Sequence, residues 1–256
     1  GLDGHDWEMG YTTELEPPIP APAEIKFAKV RVPKAWAFPP LDSISPRPHG
    51  AYFRRTLDLP DDIAGRCFKL VGEQVECEAT AYVNGQKTGN VRGEDTPLVC
   101  DITRALQRGK NEIVIVVRDL IAIMDPSYVN KKTPAANLNY LDAPGIFGGN
   151  GLGIGPVRIE SAPAVSSEDV FISTSVRNKR LAAKIAVANR GDTEAGVRVA
   201  AEVLDDGQPI FKLGEKQLVL TPNRPAELTL EQAWENPQLW QPGNPHLYAM
   251  RVTITD

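Results

Sequence analysis

The stretch "VECEATAYVNGQKTG", residues 75–89, indicates the fold class, because its side chains alternate and then reach a two-residue turn. Small or apolar residues occupy every second position from Val75 to Val83, and the positions between them carry Glu, Thr or Tyr. A period of two is typical of a strand that buries one face. Asn84 and Gly85 both tolerate the positive φ of a type I′ turn. The stretch therefore predicts a β-hairpin packed on a core.

Two further stretches of the first half support an all-β interpretation. "YFRRTLDL", residues 52–59, alternates as a half-buried strand does. "EIVIVVRD", residues 112–119, is apolar at both parities, which predicts a strand covered on both faces in the middle of a sandwich. Between these strands, Asp101 or Thr103 can cap one short helical turn. The pattern predicts a β-sandwich.

The first 50 residues are rich in proline and lack periodicity, so we expect an extended strap and neither helix nor central strand. Trp7 and Trp36 lie in this segment, and Tyr128 lies in a second irregular one, so their rings can be exposed. A strap tryptophan can equally anchor the strap to its sheet. The glycine-rich "GIFGGNGLGIGP", residues 145–156, is followed by β-branched residues where a dinucleotide motif requires a helix. It indicates a loop at a binding face instead.

Alternating runs resume after residue 163 and continue to the end of the chain. They are separated by turn signals such as "NRGD" and "DDGQ", at residues 189–192 and 205–208. This spacing predicts a seven-stranded immunoglobulin-like sandwich. We therefore predict two β-domains, at residues 1–163 and 164–256.

Composition excludes several classes of function. The formal net charge of −5 is spread through the chain without a basic stripe, so nucleic acid is not an expected partner. No apolar run approaches the roughly 20 residues of a membrane span. Cysteines and histidines are few and lack ligand spacing, so we expect no metal site, no disulfide framework and no cofactor; they are Cys67, Cys77, Cys100, His5, His49 and His246.

Several motifs together resemble a known enzyme family. "YFRRTLDLP", "EATAYVNGQKTG", "CDITRALQRGKNEIVIVVRD", "GIFG" and "GPVRIE" occur in the order found in the N-terminal sugar-binding jelly roll of family 2 glycoside hydrolases. This group includes β-galactosidases, β-glucuronidases and β-mannosidases. The ending "WENPQLWQPGNPHLYAMRVTI" resembles the immunoglobulin-like domain of the same family. The resemblance implies a jelly roll at residues 1–163 followed by an immunoglobulin-like sandwich.

The resemblance also implies that catalysis requires a further domain. In the family, a (β/α)₈ barrel follows the two sandwiches and carries an acid/base glutamate and a nucleophilic glutamate, about 5 Å apart in retaining enzymes. Such a barrel needs about 200 to 250 residues, and this chain stops at Asp256, where the barrel should begin. Glu235, in "WENP", reverses the order of a catalytic Asn-Glu pair. We therefore predict no catalytic residue in this chain, although the parent protein is expected to be a retaining β-glycosidase.

Sugar contacts are expected near the "GIFG" motif. In the family, the preceding loop can send a carboxylate or amide into the mouth of the barrel. Here the resemblance points to Asn139, Tyr140 and Asp142, although Asp142 is closer to the glycine than the family's usual acid. An ordinary turn role for Asp142 therefore stays open. Trp36 and Tyr128 are the candidate aromatic platforms for a sugar ring.

The remaining aromatic and acidic residues are given structural roles. Trp234 and Trp240 are expected to be buried between the domains. Glu73, Glu76 and Glu78 are expected on solvated strand faces, because they flank or occupy polar strand positions.

Three functions are compatible with the sequence. The chain is either the non-catalytic front part of a family 2 glycosidase, a stand-alone carbohydrate-binding or adhesive protein, or a structural spacer. The first function implies a β-glycoside and a catalytic barrel as partners, whereas the second implies glycan binding without an enzyme. The compartment stays open at this point: free cysteines favour a reducing interior, whereas the frequent export of polysaccharide-degrading relatives slightly favours a periplasmic or extracellular location over a cytoplasmic one.

Overall fold

A computed structural model describes residues 1–14, 16–33, 48–60, 63, 65–75, 78–93, 96–118 and 152–255 of the chain. These residues form strands and turns without any helix, which confirms the predicted all-β class. None of them forms a helix long and apolar enough to cross a membrane. The chain divides into two compact units, Gly1–Ser161 and Ala162–Asp256.

The first unit is a sandwich of two antiparallel sheets. Its strands are β1 (Gly4–Thr12), β2 (Ala28–Val32), β3 (Gly50–Leu59), β4 (Arg66–Gly72), β5 (Glu78–Val83), β6 (Gln86–Arg92), β7 (Leu98–Asp101), β8 (Gly109–Arg118) and β9 (Val157–Pro163). Six strands form one sheet in the order β2-β1-β3-β8-β5-β6, and β7-β4-β9 form the other. The buried side chains include Phe53, Leu70, Ile113 and Ile115.

The hairpin that indicates the fold class is present as predicted. β5 and β6 pair antiparallel up to Val83 and Gln86, and the turn residues Asn84 and Gly85 have φ values of 50° and 78°. β8 lies between β3 and β5, so the doubly apolar run is a central strand. Asp101 accepts a hydrogen bond from the Thr103 backbone amide at 2.9 Å and caps a single turn.

The first 50 residues are more regular than predicted. β1 and β2 are paired strands of the six-stranded sheet, so an unbroken strap is wrong for them. β1 contains no proline and places Trp7 and Met9 in the core, which is why it can join the ladder. Trp7 is fully buried and its Nε1–H donates to the Leu2 carbonyl at 2.7 Å. Its ring is therefore part of the core and is not an exposed platform.

The second unit is also a sandwich. Its strands are β10 (Val165–Ser175), β11 (Arg180–Asn189), β12 (Ala195–Asp205), β13 (Gln208–Leu220), β14 (Ala226–Ala233) and β15 (Ala249–Thr255). They form the three-stranded sheets β10-β11-β14 and β13-β12-β15. Among the described residues of this unit there are six strands, one fewer than predicted. The segment 234–248 makes only one isolated bridge, between Gln241 and Asn244, because its three prolines remove ladder donors.

Candidate functional site

The five residues proposed for sugar contact are Trp36, Tyr128, Asn139, Tyr140 and Asp142, and all five lie outside the described residues. They stay predictions. The structure does describe the residues on either side of the segment 119–151, which carries four of the five.

The N-terminal side of this segment is fixed by an ion-pair network whose central pair is largely covered. Arg118, the last residue of β8, lies 2.9 Å from Glu78 and 3.0 Å from Glu16, measured between charged atoms. Glu78 also pairs with Arg92 at 2.6 Å. The side chains of Arg118 and Glu78 are only 13% and 10% exposed. A solvated position for Glu78 is therefore wrong, because two guanidinium groups compensate the carboxylate under cover of other residues.

The residues between β1 and β2 form a strap over the outer face of the six-stranded sheet; we call described residues 13–14 and 16–27 the strap. The Tyr52 hydroxyl, beneath it, donates to the Pro18 carbonyl at 2.9 Å. Burial raises the pKa of Tyr52 to about 12, with smaller contributions from the charges of Glu14 and Tyr82. The extended strap predicted for the proline-rich start is thus found between the first two strands.

The strap is seated by aromatic and close backbone contacts. The Phe27 ring lies 6.3 Å from that of Tyr52, and the Arg54 guanidinium lies 3.7 Å above the Phe27 ring centroid. At Gly10, a Cβ atom would meet Ile25 Cγ2 at 2.5 Å. A side chain at this position therefore conflicts with the strap.

The C-terminal side of the segment 119–151 is equally well anchored. Leu152 and Ile154 are buried in the core, and Ile154 forms a bridge with Val75. The Gly155 amide donates to the Gln74 carbonyl at 2.8 Å. A Cβ at Gly155 would lie 2.9 Å from that of Gln74, so the close approach favours glycine. Both flanks of the candidate loop are thus held by the first unit.

The second unit contains a cavity with an aromatic wall. Trp234 lies between Phe211 and Tyr248, with ring centroids at 5.7 Å and 4.8 Å, and His246 contacts Tyr248 at 4.6 Å. Three of these rings, Trp234, Tyr248 and His246, line a cavity of about 170 Å³ together with Trp240. The Trp240 side chain is 57% exposed, so its predicted burial is wrong. The sequence patterns did not predict this cavity; the only sign of it in the sequence is the cluster of aromatic residues in the segment 234–248.

Two of the glutamates considered from the sequence are in surface ion pairs. Glu235 lies 2.5 Å from the Lys179 amine. Glu73 lies 2.5 Å from the Arg158 guanidinium. Both pairs are well exposed, which is the usual state of solvated strand and turn carboxylates.

The comparisons with known proteins agree with the resemblance. Residues 165–256 match the family model described as "Glycosyl hydrolases family 2". A "Putative beta-glucuronidase" of Formosa agariphila is 25% identical over 91% of this chain and 26% of its own length.

Solved structures share the fold over nearly the whole chain. A "putative beta-galactosidase" from Bacteroides fragilis has a TM-score of 0.75 at 22% identity, covering 99% of this chain and 38% of its own. A calcium-binding mutant of Bacteroides uniformis beta-glucuronidase 2 has a TM-score of 0.76 at 21% identity, with 99% and 30% coverage. The chain therefore spans only about a quarter to two fifths of these proteins. The predicted resemblance to the N-terminal domains of family 2 enzymes is confirmed.

Proposed function

We propose that this chain is the non-catalytic N-terminal part of a family 2 β-glycosidase of β-glucuronidase or β-galactosidase type. In this proposal the first unit contributes sugar contacts, and both units support a catalytic (β/α)₈ barrel. The proposal depends on how much of each protein the structural matches cover. Each aligned structure covers nearly all of both units, yet the match takes up a minor fraction of each larger glycosidase.

The sugar contacts of the first unit are assigned to the segment 119–151 and to Trp36, which follows β2 in the sequence. Asn139, Tyr140 and Asp142 would bond substrate hydroxyls at the mouth of the barrel, whereas Trp36 and Tyr128 would supply aromatic surfaces. Anchoring of both flanks of the loop supports this assignment, because a binding loop needs a fixed base to present polar groups reproducibly.

Activity measurements with and without a barrel test the proposal. The 256-residue chain alone should leave chromogenic β-glucuronides and β-galactosides intact. Mixing it with a separately expressed portion of the Formosa agariphila relative that lies outside the matched 26% should give tight association or raise the activity of that portion. Hydrolysis by the chain alone at enzyme-like rates would contradict the proposal.

Variants test the assigned contacts in the reconstituted enzyme. Asp142→Ala and Trp36→Ala should raise KM for the glycoside, because each removes a contact to bound sugar. Asp192→Ala is the control, since Asp192 is an exposed turn residue of the second unit. Equal KM values for all three variants and the unsubstituted protein would refute the assignment of the contacts while leaving the scaffold role intact.

A further inference from the structure

We propose that the aromatic cavity of the second unit is a carbohydrate-binding site of its own, which takes one neutral pyranose ring of a glycan. The site goes beyond the proposed function, which places the sugar contacts in the first unit. Its volume of about 170 Å³ lies below the roughly 300 to 1,000 Å³ of pockets that enclose drug-sized ligands, which limits a ligand to about one sugar ring.

The wall of the cavity is rigid and aromatic. The Trp234 ring is stacked on Phe211 with an angle of 14° between planes, and Tyr248 contacts it edge-on. Because these rings pack on one another and on the core of the unit, they need no reordering when a ligand binds. At the opening, the half-exposed Trp240 indole presents a flat apolar surface. The C–H face of a pyranose is complementary to such a surface.

Polar groups border the same cavity. The Tyr248 hydroxyl accepts a hydrogen bond from the Gln238 backbone amide at 2.9 Å, which leaves its own hydrogen for a ligand oxygen. The side chains of Gln238, Thr174 and Arg180 also line the cavity. An aromatic wall with a few polar groups around it is the composition of a small-molecule site.

The charges at the cavity favour a neutral sugar over an acidic one. Arg180 Nη2 lies 2.6 Å from the carboxylate of Glu231, so its positive charge is shared with a neighbouring acid. His246 Nε2 lies 3.3 Å from Asp205 Oδ1, which places a further negative group behind the histidine. Arg180 and His246 thus each already have a carboxylate beside them, which weakens their attraction for a uronic acid. Sugar hydroxyl groups can bond to Tyr248, Gln238 and Thr174, which carry no charged partner of this kind among the described residues.

Titration of the full chain with simple glycosides tests the site. The probes are the methyl β-pyranosides of glucose, galactose, mannose and glucuronic acid. Their binding is measured by isothermal titration calorimetry and by the change in tryptophan fluorescence. We expect saturable, weak binding of at least one neutral glycoside and weaker binding of the glucuronide. Trp240→Ala should lower the affinity at least tenfold, because it removes the aromatic surface at the opening.

Phe171→Ala is the matched control, because Phe171 is an aromatic residue that is 63% exposed on β10 and does not line the cavity. The Phe171→Ala variant should bind the glycoside with the same affinity as the unsubstituted chain. Circular dichroism verifies that each variant is folded. No saturable binding of any probe, or equal binding by the Trp240 variant, overturns the proposal. A self-association that Trp240→Ala abolishes, without glycoside binding, assigns the surface to a second copy and also overturns it.

This outcome is separable from that of the proposed function. Glycoside binding is measured on the chain without any barrel, whereas the proposed function is tested by reconstitution with one. Failure of binding with successful reconstitution rejects the cavity site alone. Binding without reconstitution rejects the scaffold role alone.

Discussion

Arg118 and Glu78 face each other across the neighbouring strands β8 and β5, with Nη1 and Oε1 2.9 Å apart. The two residues lie where β8 ends, immediately before the loop assigned to sugar contact. Because the two side chains are only 13% and 10% exposed, neither charge is compensated mainly by water. The pair therefore ties the base of the candidate loop to the stability of the first unit.

Removing one partner of this ion pair should lower the stability of the first unit. Glu78→Ala removes the carboxylate that Arg118 and Arg92 share and leaves the largely covered Arg118 guanidinium with only the exposed carboxylate of Glu16. We therefore expect the free energy of unfolding to fall by about 3 kcal/mol. Urea denaturation measures the change. The control is Glu227→Ala, which breaks a pair with Lys184 whose side chains are 52% and 58% exposed, and it should cost below about 0.5 kcal/mol. Similar losses in the two variants would show that the burial of Glu78 is unimportant.

The Asn84 turn should depend on both backbone conformation and side-chain bonds. The side-chain nitrogen Nδ2 of Asn84 donates to the Ala105 carbonyl oxygen at 2.8 Å and to Asn111 Oδ1 at 2.9 Å. The side-chain oxygen Oδ1 of Asn84 accepts from the Glu112 backbone amide at 2.9 Å. Asn84→Ala loses these bonds and strains a φ of 50°, so we expect a loss of about 2 kcal/mol. Asn84→Gly loses the bonds without the strain and should be less destabilised.

Thermal and urea unfolding of the two Asn84 variants give the comparison. A glycine variant as unstable as the alanine variant would mean that the hydrogen bonds alone determine the effect. A glycine variant as stable as the original protein would mean that backbone conformation alone does.

Local patterns predicted those elements whose residues interact over short distances along the chain. The hairpin at Asn84 and Gly85 followed from strict alternation plus the positive φ that the turn requires. The central position of β8 followed from apolar residues at both parities. In both cases the deciding information lies within about ten residues.

Features that depend on distant residues were not predictable in this way. Glu78 occupies a polar strand position, and the placement of Arg118 directly opposite it on the adjacent strand makes this position a nearly buried ion pair. Likewise, the cavity near Trp240 exists because Trp234, His246 and Tyr248 come together with Thr174 and Arg180, which lie about 60 residues earlier. Alternation reports which face a side chain points to, but not what covers that face.

Alkaline titration should detect the burial of Tyr52. Its pKa is about 12 in the folded protein against about 10 when unfolded, so the native state retains the phenolic proton longer. The resulting stabilisation is complete below about pH 10 and is lost as the pH rises through about 12. Absorbance of tyrosinate should therefore show a late step near pH 12 from Tyr52, in addition to the upward pKa shifts that burial causes at Tyr11 and Tyr82. Unfolding should become easier over the same pH range.

Tyr52→Phe provides the reference for this titration. It removes the titrating hydroxyl and the bond to the Pro18 carbonyl, so the late absorbance step should disappear. The slope of stability between pH 10 and pH 12 should decrease as well. Persistence of the late step in the phenylalanine variant would assign it to another tyrosine, such as Tyr82, whose pKa is also raised by burial.

Substitution of Gly10 should displace the strap. Gly10→Ala places a Cβ 2.5 Å from Ile25 Cγ2 and 3.3 Å from the Lys26 carbonyl oxygen, so the strap must shift. We expect a loss of about 2 kcal/mol in unfolding free energy and faster proteolytic cleavage of the strap. Gly196→Ala is the control, because a Cβ there meets nothing within 4 Å, and it should change stability by less than about 0.5 kcal/mol. Unchanged proteolysis in the Gly10 variant would show that the strap tolerates the added methyl group and is not held by this contact.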